Sequence, residues 1–237
     1  MVWSKYLTSI PRVTRLVLHH FTWCSQGRNL FFNTRRNLTS LSSLDRTVIH
    51  KPNKRSHNDL ESFLQCDYDP TSKYFVGTLF EYQINKLLKN FHIETRRCGG
   101  SDDKGVDLRG SWTLPGRTLP IVAQCKHEKK KVGPNYVREI QATVERETPG
   151  TLGILVSNKG FTKFALAQFS PAKAPIILIT VNENLDIVGF HFNLATEKLL
   201  PELMITRKFS PTLEGEIVWK FAMLWNGVEY SPHTNSI

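Results

Sequence analysis

The chain has 237 residues and a formal net charge of +10, with 40% hydrophobic and 22% charged side chains. This composition is typical of a soluble globular protein, and no internal repeat or low-complexity tract interrupts it. The four cysteines lie 42, 32 and 27 residues apart without a C-x-x-C pair, which argues against a structural zinc site and against a disulfide framework. No apolar run approaches the roughly 20 residues that span a bilayer.

The first 44 residues have the composition of a mitochondrial transit peptide. They hold six basic and no acidic side chains, so residues 45–237 carry only 25 basic against 21 acidic ones. Ser, Thr and interspersed large apolar residues complete the pattern. A basic disordered arm that binds nucleic acid is the alternative, but such arms seldom carry so many large apolar residues. We expect residues 1–44 to direct the chain to the mitochondrial matrix, and the polar residues 45–72 to form a linker.

Regular elements are expected over residues 73–181. The residues from Tyr74 to Phe91 have apolar side chains at helical spacing, which predicts an amphipathic helix with Glu81 at the edge of its apolar face. The later elements are, in order, a short segment at His92–Arg97, a strand starting at Val106–Leu108, a turn at Pro115-Gly116, a strand at Ile121–Lys126, a helix marked by Val137, Ile140 and Val144, a strand at Leu152–Val156, a helix at Phe161–Phe169 and a strand at Ile176–Val181. This order predicts an α/β fold with a mixed central sheet flanked by helices on both faces.

A C-terminal extension, residues 182–237, follows the last predicted strand. Its aromatic residues Trp219, Phe221 and Trp225 have two interpretations. They pack an added strand or helix against the domain, which we favour, or they stack on nucleic-acid bases. We therefore expect the extension to pack on the domain.

The strand at 121–126 presents a polar pair on one face. Because side chains alternate along a strand, Gln124 and Lys126 point to the same side. If the preceding strand pairs with this one, Asp107 lies across from the pair. An acid, an amide and an ammonium group would then converge beside the helix that carries Glu81.

This combination of groups suits phosphodiester hydrolysis. A hard divalent cation prefers oxygen ligands, which Asp107, Glu81, the Gln124 amide and a main-chain carbonyl supply. The cation offsets phosphate charge and acidifies a bound water. The Lys126 ammonium orients that water and stabilises the charge of the transition state. Taken singly, each of these residues is as readily an ordinary rim or surface group.

Basic side chains follow the polar pair along the chain. Lys129, Lys130 and Lys131 lie just after the strand, and Arg109 follows Asp107 by two residues. We expect these four side chains to contact nucleic-acid phosphates. The alternative for the lysine run is a solvated turn.

Three separated motifs carry a family resemblance. They are Gly77-x-x-Phe80-Glu81, Asp103-x-Gly105-Val106-Asp107-Leu108 and Gln124-Cys125-Lys126, with further matches at Val132-Gly133, Val137-Arg138-Glu139-Ile140 and Gly160-Phe161-Thr162. In this order and at these distances, the motifs resemble the Mrr-like branch of the PD-(D/E)XK nuclease superfamily. Together with the first 44 residues, the layout also resembles the fungal mitochondrial proteins named for being required for respiratory growth.

The resemblance implies a restriction endonuclease-like fold with a Mg²⁺ or Mn²⁺ cofactor. The implied catalytic residues are Asp107, Gln124, Lys126 and Glu81, and the implied metal ligands are Asp107, Glu81, Gln124 and the main-chain carbonyl of Cys125. Many members of the superfamily have an acid where this chain has Gln124. A neutral amide attracts a dication less strongly, so we expect metal binding to be weak until substrate phosphate arrives.

The implied function is that of a mitochondrial metal-dependent nuclease that acts on mitochondrial nucleic acid, as a single chain or as a homodimer. We expect the substrate to be mitochondrial DNA, and RNA is the alternative. Such an enzyme would support genome maintenance and respiratory growth. The alternative is a nucleic-acid-binding or assembly factor with the same fold and little or no catalysis. A nuclease needs Glu81, Asp107 and Lys126, and the presence of all three favours the nuclease.

Overall fold

The computed structural model describes residues 57–98, 105–211 and 217–230. The predicted transit peptide, the first part of the predicted linker and Asp103 lie outside these ranges. Within them, every helix is too short or too polar to cross a membrane.

Six strands of the described chain form one mixed sheet, in the order β1-β2-β3-β4-β5-β6. They are β1 (Ile93–Arg97), β2 (Leu108–Leu114), β3 (Arg117–Lys126), β4 (Leu152–Ser157), β5 (Ile176–Val181) and β6 (Ile187–Phe192). Strands β3, β4 and β5 are parallel, whereas the other neighbours pair antiparallel. The predicted mixed sheet is confirmed, and β6 extends it beyond residue 181.

Five helices of the described chain accompany the sheet. They are α1 (Leu60–Leu64), α2 (Lys73–Lys89), α3 (Pro134–Arg146), α4 (Lys163–Phe169) and α5 (Leu194–Leu199). Helix α2 begins after Ser72, whose hydroxyl accepts a hydrogen bond from the Phe75 N–H at 3.1 Å. Pro134 opens α3, where its fixed φ suits the first helical turn. The three helices predicted from apolar spacing are therefore confirmed as α2, α3 and α4.

Each face of the sheet buries its own core. On one face, Phe80, Ile84 and Leu88 of α2 pack with Ala123 and Cys125 of β3. The core of the other face includes Val122, Val137, Ile140, Val144, Leu155, Ala165 and Leu178. Because β3 alternates between the two cores, its even-numbered side chains point toward α3.

Residues 57–72 do not form the linker that their polar composition predicts. Phe63 of α1 is fully buried and stacks on Phe75 at a centroid distance of 5.1 Å. The buried His57 ring lies 2.8 Å from the Tyr82 hydroxyl, within hydrogen-bonding distance. A few aromatic side chains among polar neighbours are therefore enough to fold this segment onto α2.

The C-terminal extension forms a second, antiparallel sheet of β7 (Leu203–Pro211), β8 (Ile217–Trp225) and β9 (Val228–Glu229). Met223 and Trp225 pack with the core on the α2 face, and the Phe221 ring contacts Phe190 at 6.3 Å. Phe221 and Trp225 thus contact residues of the first sheet and its core. Trp219 differs, because it is 60% exposed and its ring contacts Phe209 of the same hairpin.

Candidate active site

Asp107 lies immediately before β2, opposite the end of β3. Its N–H donates a hydrogen bond to the Ala123 carbonyl at 2.9 Å. Its Oδ2 accepts one from the Cys125 N–H at 2.6 Å. The carboxylate is therefore held against the backbone of the segment that carries Gln124 and Lys126. The predicted pairing of the two strands brings these residues together.

Gln124 and Lys126 lie on the same face of β3, as predicted, and that face is covered by α3. Gln124 is 1% exposed, and its Nε2 donates a hydrogen bond to Glu139 Oε1 at 2.8 Å. Lys126 Nζ lies 4.9 Å from the centroid of the Tyr136 ring. The sequence prediction placed this pair beside the Glu81 helix, and the structure corrects it. Alternation along a strand groups residues by face but does not say which helix covers that face.

The hydrogen bond to Glu139 sets the orientation of the Gln124 amide. An ionised carboxylate only accepts hydrogen bonds, so the amide must turn its NH₂ group toward Glu139. Among the described residues, Gln124 Oε1 is then buried without a hydrogen-bond partner. An unsatisfied buried acceptor costs about 1–3 kcal/mol, so a cation or donor that reaches this oxygen is favoured.

Glu81 lies on α2, on the other side of the sheet, and forms an ion pair with Arg97. Its Oε2 accepts a hydrogen bond from Arg97 Nε at 2.5 Å, and the Arg97 and Glu81 side chains are 15% and 14% exposed. Burial opposes the charge of Arg97, but the Glu81 carboxylate and its hydrogen bond hold the pKa of Arg97 above its usual value. Sequence reasoning missed Arg97, because no spacing rule connects positions 81 and 97.

The Cys125 side chain lies on the α2 face of β3. It packs inward, as predicted, and is 9% exposed. Burial raises the pKa of the Cys125 thiol well above its usual value, the Asp107 and Glu81 carboxylates raise it further, and Lys126 lowers it. All three charged groups therefore lie within electrostatic reach of one sulfur atom. The Asp107 carboxylate and the strand that carries Lys126 meet at one edge of the sheet, where β2 begins and β3 ends.

The residues at this edge fit an oxygen-preferring metal ion. No group of three or more His, Cys, Asp or Glu side chains in the described ranges is placed to hold a metal. The predicted ligand set does not need such a group. Only Asp107 and Glu81 in it are carboxylates, and its other oxygens come from the Gln124 amide and the Cys125 backbone. The unpartnered Gln124 Oε1 is the observation that fits Mg²⁺ or Mn²⁺, which accept amide oxygens as ligands.

The predicted phosphate-binding residues separate into two groups. Lys129, Lys130 and Lys131 are exposed in the loop between β3 and α3, directly after Lys126. Arg109 instead binds Glu147 through two hydrogen bonds of 2.6 and 2.9 Å. Its guanidinium is engaged by a carboxylate, because the residue that ends α3 lies beside β2. A phosphate that binds Arg109 therefore has to compete with the Glu147 carboxylate for the guanidinium.

Part of the chain is similar to known proteins. Residues 74–187 match the family Mrr_cat, described as a restriction endonuclease. An uncharacterized mitochondrial protein of Schizosaccharomyces pombe is 34% identical over 143 residues, which cover 57% of this chain and 56% of that protein. The mitochondrial Required for respiratory growth protein 7 of Saccharomyces cerevisiae is 28% identical over 106 residues, which cover 40% of this chain and 44% of that protein. The chain thus matches about half the length of these relatives.

A solved structure also matches part of the chain. It is the MspJI restriction endonuclease in complex with a 27-mer oligonucleotide, with a TM-score of 0.30 and 18% sequence identity. The match covers 46% of this chain and 27% of that one.

Proposed function

Because residues 74–187 form a restriction endonuclease-like domain of the Mrr_cat type, we propose that the chain is a metal-dependent nuclease. Its site lies where the start of β2 meets the end of β3. The observation that carries the proposal is the buried, unpartnered Gln124 Oε1, which lies on the strand that also holds the Asp107 carboxylate and carries Lys126. An acid, a buried amide oxygen and an ammonium group at one strand end suit metal-assisted hydrolysis of a phosphodiester.

The residues of the chain have distinct roles in this reaction. Asp107, Gln124, Glu81 and the Cys125 carbonyl would hold the metal ion, which supplies positive charge and Lewis acidity to a phosphate oxygen. Lys126 donates hydrogen bonds to the attacking water or to a phosphate oxygen, and it stabilises the negative charge that grows as the leaving oxygen departs. Tyr136 limits the positions that the ammonium group samples, because the ring attracts the cation.

The substrate we propose is DNA in mitochondria. The exposed Lys129, Lys130 and Lys131 lie next to the site, where they contact the phosphate backbone. The composition of residues 1–44 and the mitochondrial relatives support this location. The biological role that follows is maintenance of the mitochondrial genome, and through it respiratory growth.

A second candidate function is nucleic-acid binding or assembly without turnover. The Glu81–Arg97 ion pair favours it, because a guanidinium already binds one of the four proposed metal ligands. A nuclease requires Glu81 to exchange Arg97 for the cation or to act while bound to both. A binding protein requires neither.

Cleavage and binding measured together separate the two functions. The full chain, Lys126→Ala and the control Lys173→Ala, which alters an exposed lysine just before β5, are incubated with Mg²⁺ or Mn²⁺. The substrates are duplex, flap and single-stranded DNA and RNA. We expect wild type and Lys173→Ala to cleave DNA, and Lys126→Ala to cleave about 10²–10³ more slowly with similar gel-shift affinity. Binding without cleavage by wild type would favour the second function, and neither binding nor cleavage would contradict both.

A further inference from the structure

We infer that Glu139 is a positioning residue of the site, which fixes the Gln124 amide so that Oε1 serves as a metal ligand; this inference rests on the proposed nuclease function. Glu139 lies on α3 and has no role in the reaction proposed above. Its Oε1 accepts the only hydrogen bond described for the Gln124 side chain, at 2.8 Å. The fixed amide is thus oriented from the side of the sheet opposite Glu81.

The orientation depends on the chemistry of a carboxylate. A glutamine partner at position 139 offers both a donor and an acceptor, so it would accept either orientation of the Gln124 amide. A carboxylate allows only one orientation of the Gln124 amide, with its NH₂ group toward α3 and its Oε1 away from α3. The negative charge of Glu139 also polarises the amide, which increases the electron density on Oε1 and makes it a better ligand.

The backbone at Gly105 leaves room for the hydrogen bond between Gln124 and Glu139. Gly105 has φ +79, and a Cβ at this position would lie 2.6 Å from Glu139 Oε1 and 3.2 Å from Gln124 Nε2. Any side chain at residue 105 therefore displaces the carboxylate or the amide. Glu139 is exposed on α3, but the close approach of Gly105 and the hydrogen bond from Gln124 both place its carboxylate Oε1 against the buried amide.

Glu145 provides a matched control on the same helix. It accepts a hydrogen bond from Gln141 Nε2 at 2.9 Å, the same chemical pair six residues further along α3 but without a buried amide. Glu145→Gln therefore makes the same change of charge and hydrogen bonding as Glu139→Gln, away from the buried amide.

The test measures Mn²⁺ affinity of the full chain by calorimetry, together with thermal midpoint and cleavage. Glu139→Gln is expected to weaken Mn²⁺ binding about tenfold, as loss of a residue that orients a ligand does, and to slow cleavage. Glu145→Gln should match wild type. The double variant Gln124→Glu/Glu139→Gln reverses the polarity of the pair, because the new amide donates to the new carboxylate. The double variant should bind Mn²⁺ at least as tightly as wild type. Gln124→Glu alone differs, because it places the new carboxylate against that of Glu139.

Each outcome decides one claim. If wild type binds Mn²⁺ and cleaves, and Glu139→Gln equals it in both, the positioning role is contradicted while the proposed function stands. If Glu139→Gln loses binding and the double variant does not recover it, Glu139 is itself a ligand and the positioning role is also contradicted. If wild type neither binds Mn²⁺ nor cleaves, the proposed function fails and the inference fails with it.

Discussion

On the α2 side of the sheet, Glu81 and Arg97 form a 2.5 Å ion pair with side chains only 14% and 15% exposed. On the α3 side, the contacts of Gln124 and Lys126 are a single hydrogen bond to Glu139 and a cation–π contact with Tyr136. On the α2 side, the charges of Glu81 and Arg97 therefore neutralise each other within the protein. The α3 side leaves a buried carbonyl oxygen without a partner among the described residues. The Glu81–Arg97 pair therefore stabilises the fold whether or not Glu81 also holds the proposed metal, whereas the Gln124 oxygen is open to the proposed metal without loss of an existing contact.

The largest expected effect is on stability and comes from the α2 side. Arg97→Ala leaves the Glu81 carboxylate nearly buried without its guanidinium, so the free energy of unfolding should fall by about 3 kcal/mol. Arg109→Ala breaks the more exposed pair with Glu147, whose side chains are 41% and 24% exposed, and should cost about 1 kcal/mol or less. Urea denaturation of both variants measures the difference. Equal losses would show that Glu81 does not depend on Arg97.

An effect of intermediate size is expected on the α3 side, where two glycines form a matched pair of sites for substitution. Gly105 and Gly116 have φ +79 and +78, but only Gly105 has side-chain atoms within 4 Å of an added Cβ. Replacement by Ala should cost each variant about 1–2 kcal/mol of stability for the left-handed backbone. Gly105→Ala should also weaken Mn²⁺ binding, because the methyl group displaces Glu139.

The control in that pair is Gly116→Ala, which should keep the Mn²⁺ affinity of wild type. Calorimetric titration of both variants, beside their thermal midpoints, separates backbone strain from displacement. Equal Mn²⁺ affinity in the two variants would mean that the space at Gly105 does not matter to the site.

A smaller effect is expected where Tyr136 meets Lys126. Tyr136→Ala removes the cation–π contact, which is worth about 0.5–1 kcal/mol, whereas Tyr136→Phe keeps the ring. Cleavage by Tyr136→Ala should be slower than wild type but faster than Lys126→Ala, because the ammonium is less ordered but present. Single-turnover rates with the same DNA check this order. A Tyr136→Phe variant as slow as Tyr136→Ala would assign the effect to the hydroxyl instead.

Sequence patterns predicted the parts of this site that depend on one element or on neighbouring strands. Apolar spacing located α2, and alternation placed Gln124 and Lys126 on one face of β3. Strand order then placed Asp107 opposite them. These features follow from local periodicity and from pairing of consecutive strands, which a single sequence records.

The side-chain partners could not be predicted in the same way. Arg97 reaches Glu81 and Glu139 reaches Gln124 only after helices have packed on particular faces of the sheet. For the same reason, the sequence suggests that Gln124→Glu alone strengthens metal binding, whereas the structure places that carboxylate against Glu139. The segment at 57–72 was missed because its few aromatic residues show no periodicity until α2 is present to bury them.

The smallest predicted effect is a pH dependence at the α2 side. Burial lowers the pKa of His57 below the ordinary value of 6.5, and the nearby Arg97 lowers it further. The unfolded chain therefore binds a proton more readily, and stability should fall as the pH drops below about 6.5. Thermal midpoints at several pH values should show a shallower fall in His57→Gln than in wild type. The fall should not vanish, since burial also lowers the pKa of His127 and His191. Identical slopes would exclude His57 as a contributor.

The most direct test of the nuclease itself is cleavage of DNA by the full chain and by Asp107→Asn in Mg²⁺ or Mn²⁺, from parallel preparations. Asparagine keeps an oxygen that accepts the Cys125 N–H, so the fold and the thermal midpoint should be preserved. It removes the negative charge that, in the proposed function, would hold the cation. We predict metal-dependent cleavage by wild type and background cleavage by Asp107→Asn. Equal cleavage by the two proteins would contradict the assignment of the site to the edge formed by β2 and β3.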